Sequence, residues 1–364
     1  SNHRQQADRL NRAKSSKKHG AIKSRTLIRI TIALSIQGDN MKAAWYTAIG
    51  EARDVLQVGE LPTPTPGAGE VRVRLKTSGV NPSDVKSRRA RPVTDPLIVP
   101  HSDGAGVIDA VGAGVSAARM NERVWLWNGQ WQRPMGTASE WIVVPTEQAV
   151  HLPDNTDFAA GACLGIPALT AVQAVHLAGE LQGKNVLVTG AGSAVGHYIV
   201  QLVKLQGGRV IGTAGAADKQ AHALSAGVDV LIDYKTQPVT QRIKESTQGQ
   251  GVDVIIDMDL STTAKYVAEG ALKAHGVWVC YGSNALEVPL AFRTCLYASI
   301  DLRFFLVYDL NPADRTRCLQ SVQALLEGNR LQHSIGPHFA LQDIVQAHEA
   351  VEAGRVVGNV VIDL

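Results

Sequence analysis

The segment VLVTGAGSAVGHYIVQLVK, residues Val186–Lys204, carries the strongest chemical signal in the chain. An apolar run enters a cluster of Gly190, Gly192 and Gly196 and passes at once into a helical pattern. Glycines let the backbone approach a pyrophosphate closely, and a helix N-terminus behind them offers amides and partial positive charge. The spacing is G-x-G-x-x-x-G rather than G-x-G-x-x-G, so it predicts a dinucleotide cradle without giving its detailed geometry. The next strand ends Thr213-Ala214-Gly215, with no carboxylate where an NAD site places an acid for the ribose 2′-hydroxyl. Lys219, four residues on, is either placed to neutralise a 2′-phosphate or a solvated helix-face lysine beside Asp218. The missing carboxylate favours NADPH.

A cradle of this kind needs a βαβ frame, and the chain supplies one. Asn185–Thr189, Arg209–Thr213, Val228–Ile232, Val252–Asp257 and Gly276–Tyr281 read as buried strands. Between them lie helical patterns at Val195–Gln206, Lys219–Ser225 and around Ala264–Leu272. The alternation predicts a doubly wound parallel sheet with ligand at the carboxyl ends of its strands. Upstream, Val71–Val80 alternates apolar and polar residues, and Arg123–Trp127 and Ala138–Val144 are strand-like. Glycine turns at Gly104–Gly106 and Gly112–Gly114 flank a short strand, Val107–Val111, and Pro92–Pro100 reads as a loop. This punctuation predicts a small β-rich domain. Pro167–Ala178 reads as helical. The tail holds an amphipathic helix Ala313–Glu327, a short helix Leu341–Ala353 and a closing strand Asn359–Leu364, and is expected to return to the first domain.

Composition bounds the rest. The chain has 364 residues, 45% hydrophobic and 19% charged, which suits two globular domains and excludes a disordered or fibrous protein. Its net charge of +3 comes from one end: residues 1–40 hold nine basic and two acidic side chains, and the remainder 27 and 31. The body is therefore mildly acidic, with no basic-aromatic stripe for nucleic acid. No apolar run reaches the length of a membrane span. Residues 1–40 read as a tag-derived or upstream-translated extension outside the fold, with a targeting peptide or an interaction arm as alternatives. Cys163, Cys280, Cys295 and Cys318 form no C-x-x-C pair and read as buried thiols of a reducing, cytoplasmic setting.

Together these segments resemble the medium-chain dehydrogenase/reductase superfamily, in its zinc-free quinone oxidoreductase branch of the zeta-crystallin type. The resemblance rests on GVNPSD (Gly79–Asp84), VPHSDGAGVIDAVGAGV (Val99–Val115), CLGIPALTA (Cys163–Ala171), the VTGAGSAVG turn, VIGTAG (Val210–Gly215) and the closing VVGNVV, and it spans Met41–Leu364. It implies an α/β chain in which a GroES-like β-rich catalytic domain, residues 41–165 and 303–364, surrounds a Rossmann domain at 166–302. It further implies a homodimer, NADPH in the cleft, and hydride transfer to quinones or related α,β-unsaturated carbonyls. By position, Asn81 is the catalytic residue, lining the nicotinamide and substrate site, and Thr170 holds the nicotinamide end. Ala194 and Val195 face the pyrophosphate, and Gly215, Lys219 and Tyr234 surround the 2′-phosphate. Gly282 and Ser283 lie beneath the cofactor, Phe305, Leu306 and Val307 close over the carboxamide, and Asn359 stands where a lysine is common. Ser193 and Ala194 replace two glycines usual in the family's turn.

Zinc-dependent relatives need Cys and His where this chain has Asn81 and Ser102, and neither is a serviceable zinc ligand. His101, Asp103 and Cys163 remain close by. His101 is expected to be a loop histidine and Asp103 a structural carboxylate, so no metal is expected. Without a Lewis acid an isolated ketone is a poor acceptor, whereas a quinone or enone spreads the developing charge itself. Catalysis by positioning follows, with Asn81 donating to the substrate carbonyl and Tyr46, Tyr308 or Trp131 as candidate walls. A zinc alcohol dehydrogenase and a low-turnover, RNA-associated or structural NADPH binder are the competing readings.

Overall fold

The computed structural model describes residues 39–364; the extension expected over residues 1–40 lies outside the described residues, save its last two. The first layer is built from β1 (Asn40–Trp45), α1 (Ala52–Val55), β2 (Gln57–Pro62), β3 (Glu70–Val80), α2 (Pro82–Ala90), β4 (Asp103–Val111), β5 (Arg123–Leu126), β6 (Trp141–Pro145), β7 (Ala149–His151) and α3 (Phe158–Gly161). Strand β3 shows why it forms: Val71, Val73 and Leu75 turn inward while Arg72 and Arg74 turn outward. It pairs antiparallel with β4 on one side and with β6 on the other.

Strand β4 differs from expectation. Gly104–Gly106 is not a turn but the first half of the strand. A Cβ on Gly106 would stand 2.2 Å from the Arg74 carbonyl oxygen, so glycine here permits close approach to β3.

The second layer begins with a π-helical turn at Leu164–Ala168 that holds Pro167. It continues with α4 (Leu169–Ala178), β8 (Asn185–Val188), α5 (Ala194–Leu205), β9 (Arg209–Thr213), α6 (Ala217–Ser225), β10 (Val230–Ile232), α7 (Val239–Ser246), β11 (Val252–Asp257), α8 (Leu260–Ala268), β12 (Leu272–Cys280), α9 (Phe292–Tyr297) and β13 (Asp301–Phe304). Its six strands are all parallel, in the order β10-β9-β8-β11-β12-β13. The order reverses between β8 and β11, the switch point at which a doubly wound sheet opens a crevice. Helix α8 stops at Ala268, short of the expected Leu272, because Gly270 turns left-handed at φ +86° and Leu272 starts β12.

The tail comprises α10 (Pro312–Glu327), β14 (Ile335–Ala340), α11 (Ile344–Glu352) and β15 (Asn359–Asp363). The boundary expected at residue 303 falls inside β13, the edge of the parallel sheet. Helix α10 packs on α4, and the chain re-enters the first sheet at β14 and β15, with β15 antiparallel to β3. One hydrophobic core runs through both layers, from Ala105, Trp125 and Leu152 through Leu164 to Val186, Ile199 and Val254.

Candidate active site

The carboxyl ends of β8, β9 and β11 open into a cavity of about 350 Å³. Its wall carries Gly190, Gly192 and Ser193 from the turn after β8. Gly190 has φ +63°, and a Cβ there would lie 1.9 Å from Met258 Sδ. A Cβ on Gly196 would lie 2.2 Å from the Gly190 carbonyl oxygen, so the third glycine lets α5 start against the strand end. Gly192 acts elsewhere: a Cβ would meet the Lys219 carbonyl oxygen at 2.3 Å, so this glycine seats the turn on α6. Ser193 caps α5, its hydroxyl accepting from the Gly196 amide at 3.0 Å. The Gly190 amide donates to Thr213 Oγ1 at 3.1 Å, tying the turn to the end of β9.

No acid ends β9. Asp218 is exposed and accepts from the Lys219 amide at 2.8 Å. Lys219 lines the cavity with its ammonium donating to the Gly354 carbonyl, and the Tyr234 ring lies against Gly215. The carboxylate in this cavity is Asp259, just beyond β11. Burial pushes its pKa up, but donors from Ser261, Asn284 and Thr262 win and hold it below its ordinary value.

A second cavity, about 240 Å³, lies beside α2 and Ser102. Trp131 and Tyr308 stack along its wall with centroids 4.8 Å apart, and the Tyr308 and Ser83 hydroxyls meet at 2.8 Å. Asp84 lines it too, with Oδ2 accepting from the Asn81 amide at 2.7 Å. Burial pushes the Asp84 carboxyl up to about 7 against the hydrogen bonds from Asn81. Segment Phe305–Tyr308 connects the sheet to this cavity: Phe305 faces Tyr281 at 6.3 Å, and Leu306 is on the cavity wall.

Behind the second cavity runs a buried polar chain. Arg88 Nε reaches His348 Nδ1 at 3.3 Å, and His348 Nε2 meets His101 Nε2 at 2.9 Å. His101 Nδ1 meets Ser78 Oγ at 2.9 Å, Ser78 meets Thr137 Oγ1 at 2.7 Å, and Thr137 donates to the Asp103 carbonyl at 2.6 Å. Arg88 donates only, which assigns every proton in one direction along the chain and makes both imidazoles neutral. Burial depresses His101 to about 3 and His348 well below its ordinary value. His101 lies in the irregular segment before β4, as expected of a loop histidine, but it is fully buried there, in the left-handed region at φ +76°.

Two families match the chain: Alcohol dehydrogenase GroES-like domain over residues 67–154 and Zinc-binding dehydrogenase over residues 194–324. The quinone oxidoreductase of Rattus norvegicus is 30% identical over 295 residues, covering 79% of this chain and 87% of that relative. The chain belongs to the medium-chain dehydrogenase/reductase superfamily. Its place there is the quinone oxidoreductase branch. A 2-haloacrylate reductase of Burkholderia sp is 27% identical over 320 residues, covering 83% of the chain and 93% of the relative. A solved NAD-dependent alcohol dehydrogenase superposes with TM-score 0.81 at 29% identity, over 89% of this chain and 100% of that one.

Within this dehydrogenase/reductase frame the expected residues divide. Gly190, Gly192, Gly215, Lys219 and Tyr234 line the first cavity, and Leu306 the second. Ala194, Val195 and Gly196 form the first turn of α5, and Gly282 and Ser283 follow β12. Asn81 lines neither cavity: it is 2% exposed, and its amide donates to Asp103 Oδ2 at 2.9 Å. The Ile166 amide donates to the same oxygen at 3.1 Å. Thr170 is buried in the first turn of α4, and Val307 is buried with its carbonyl taken by Arg315. Asn359 is buried in β15 with Nδ2 unpartnered. Tyr46 is buried, bridges to Ile98, and lines not the second cavity but an adjoining one that Arg91 shares.

Among the described residues no three His, Cys, Asp or Glu side chains form a ligating group. His101 has both ring nitrogens in the polar chain, and burial pushes the Cys163 thiol up. Asp84 and Asp259 are the residues that sequence reasoning missed. Asp84 stands three places after Asn81, the spacing of a capping box, and that signal was available.

Proposed function

We propose that this chain is an NADPH-dependent, zinc-free reductase that passes hydride to quinones or other α,β-unsaturated carbonyls. The carrying observation is the β9 terminus, which ends without an acid in a cavity that Lys219 lines. A 2′-phosphate fits there with Lys219 against it and Tyr234 over the adenosine side, while the α5 N-terminus and Ser193 receive the pyrophosphate. The unpartnered Nδ2 of Asn359, buried behind Gly79, is available to a polar acceptor of the nicotinamide end. NADPH supplies the hydride. The protein's part is to hold a flat electrophile in the second cavity, between Leu306 and the Trp131–Tyr308 stack, with Asn81 and Asp103 fixing the cavity's inner edge.

A cytoplasmic homodimer completes the proposal. Strand β13 is an open edge of the parallel sheet, and beside it Phe292 and Tyr297 of α9 are 70% and 76% exposed. An open edge beside large apolar side chains is suited to pairing with a second copy. No helix among the described residues is long and apolar enough to cross a membrane.

The test is loss of NADPH absorbance with quinones, enones and simple ketones, each with and without EDTA. Chelator-resistant reduction of the conjugated acceptors is the expected outcome. Turnover that EDTA abolishes and Zn²⁺ restores would replace the proposal with a zinc alcohol dehydrogenase.

A further inference from the structure

We infer that the second cavity is a subsite for a carboxylate carried by the electrophile, with Arg91 and Lys86 receiving it. This rests on the reductase reading for the chemistry but not for the binding. The Arg91 guanidinium carbon lies 5.3 Å from the Trp131 ring centroid, and Trp131 stacks in turn on Tyr308. Stacking on an aromatic face restrains a guanidinium while leaving its N–H edge open to a ligand. Its neighbours on the same stretch are committed: Arg88 pairs with Glu352 and Arg89 with Glu51. Arg91 has no such carboxylate partner among the described residues.

The charge balance of the cavity agrees. The titratable groups on its wall are Lys86, Arg91, Asp84 and Tyr308. Burial holds Asp84 up to about 7 and Tyr308 above its ordinary value, so below neutrality the two carboxyl and phenol groups are uncharged. Two cations then face the space with no ionised acid on its wall. Asp95 lies on the wall of an adjoining cavity of about 180 Å³ that Arg91 and Arg133 also line, and it accepts from Thr94 Oγ1 at 3.3 Å. Leu306 and Trp131 give the apolar surfaces for a flat body, and Ser83, Ser87 and Ser102 give hydroxyls along it. The ligand that satisfies both is a small planar unsaturated acid, an enoate or a quinone with an acid substituent. Its carboxylate is turned to the rim and its conjugated system inward.

Benzoate and benzamide separate charge from shape. Each is titrated into the full-length protein at pH 6 without cofactor, following tryptophan fluorescence, with Trp131→Phe identifying the reporting ring. Benzoate is expected to bind about tenfold more tightly than benzamide, and Arg91→Gln to remove that preference while leaving benzamide unchanged. Arg91→Lys is expected to keep part of it, and Lys86→Gln to lose part. Equal binding of the two probes, no detectable benzoate binding, or an Arg91→Gln effect equal on both would overturn the subsite. Arg91 is exposed, so its replacements leave the core untouched. The two readings fail separately. Neutral enones reduced with no preference for their acid analogues would remove the subsite alone. Arg91-dependent benzoate binding in a protein that reduces nothing would remove the reductase and keep the subsite.

Discussion

Asp84→Asn tests the charge state of the second cavity through folding itself. A carboxyl that titrates near 3.8 in the unfolded chain and about 7 when folded makes stability depend on pH by about 4 kcal/mol across that window. The sign follows from which state holds the proton. Below pH 3.8 both states are protonated and the contribution is fully present. As pH rises toward 7 the unfolded chain ionises while the folded one resists, so stability falls, and above that pH the loss is constant. Asparagine cannot ionise, and its carbonyl still accepts from the Asn81 amide. His101 and His348 act oppositely, since their depressed values remove stability as pH falls below about 6.5, but both proteins share them and they cancel in the difference. Denaturant unfolding of wild type and Asp84→Asn at pH 5 and pH 8 therefore gives a difference that grows with pH in favour of asparagine. A difference that stays constant from pH 4 to pH 8 would refute the assignment of Asp84 as the neutral carboxyl of the cavity.

Four further outcomes are expected. Lys219→Glu weakens NADPH far more than NADH, because it sets two negative groups together; fluorescence titration of both nucleotides checks it, and equal loss would remove Lys219 from the 2′-phosphate site. Asn81→Ala lowers turnover with NADPH binding largely intact and costs about 1–3 kcal/mol of stability, because Asp103 keeps only the Ile166 amide; steady-state kinetics beside denaturant unfolding read both effects. His101→Ala leaves Ser78 and His348 short of a partner in a dry interior and costs about 1–3 kcal/mol at pH 7, less as the pH falls toward 4, measured as a shift in unfolding midpoint at constant slope. Phe292→Glu with Tyr297→Glu places charge on the open face beside β13 and is expected to give monomer by light scattering if the parent protein is the dimer proposed above; a parent protein that is itself monomeric would remove the dimer proposal.

The parallel sheet was readable because its signals are local. Each strand is a short apolar run, and the helices between them are local apolar periods, though their exact ends at Ser193 and Gly270 were not read. The glycine turn was readable as a cradle, but the separate job of Gly192 was not, since its cause is a carbonyl 27 residues away on α6. Gly104–Gly106 misled for the same reason: glycine reads as a turn until the partner strand that needs close approach is known. Asp84 is the intermediate case, visible as the third residue of a cap but visible as a cavity group only after Tyr308 and Trp131 arrive from elsewhere in the chain.

The same distinction bears on what Asn81 does. The donors from Arg88 through His348, His101, Ser78 and Thr137 all point one way and end on the backbone carbonyl of Asp103, whose side chain in turn accepts from Asn81. A chain that starts at a donor-only guanidinium and ends on an acceptor-only carbonyl cannot reverse at any link without leaving two donors or two acceptors facing each other. The position of Asp103 is therefore held from behind by hydrogen bonds that link residues up to 260 places distant from one another, and Asn81 is held by Asp103. With its amide engaged and its surface closed, Asn81 acts by fixing the start of α2, and with it Ser83, Asp84 and Arg91 at the second cavity. On this account Asn81→Asp, which sets a second acid against Asp103, disturbs the subsite more than Asn81→Ala does. The benzoate preference over benzamide, read in both variants at pH 6, orders them: a larger loss in alanine than in aspartate would place Asn81 in direct contact with the ligand instead.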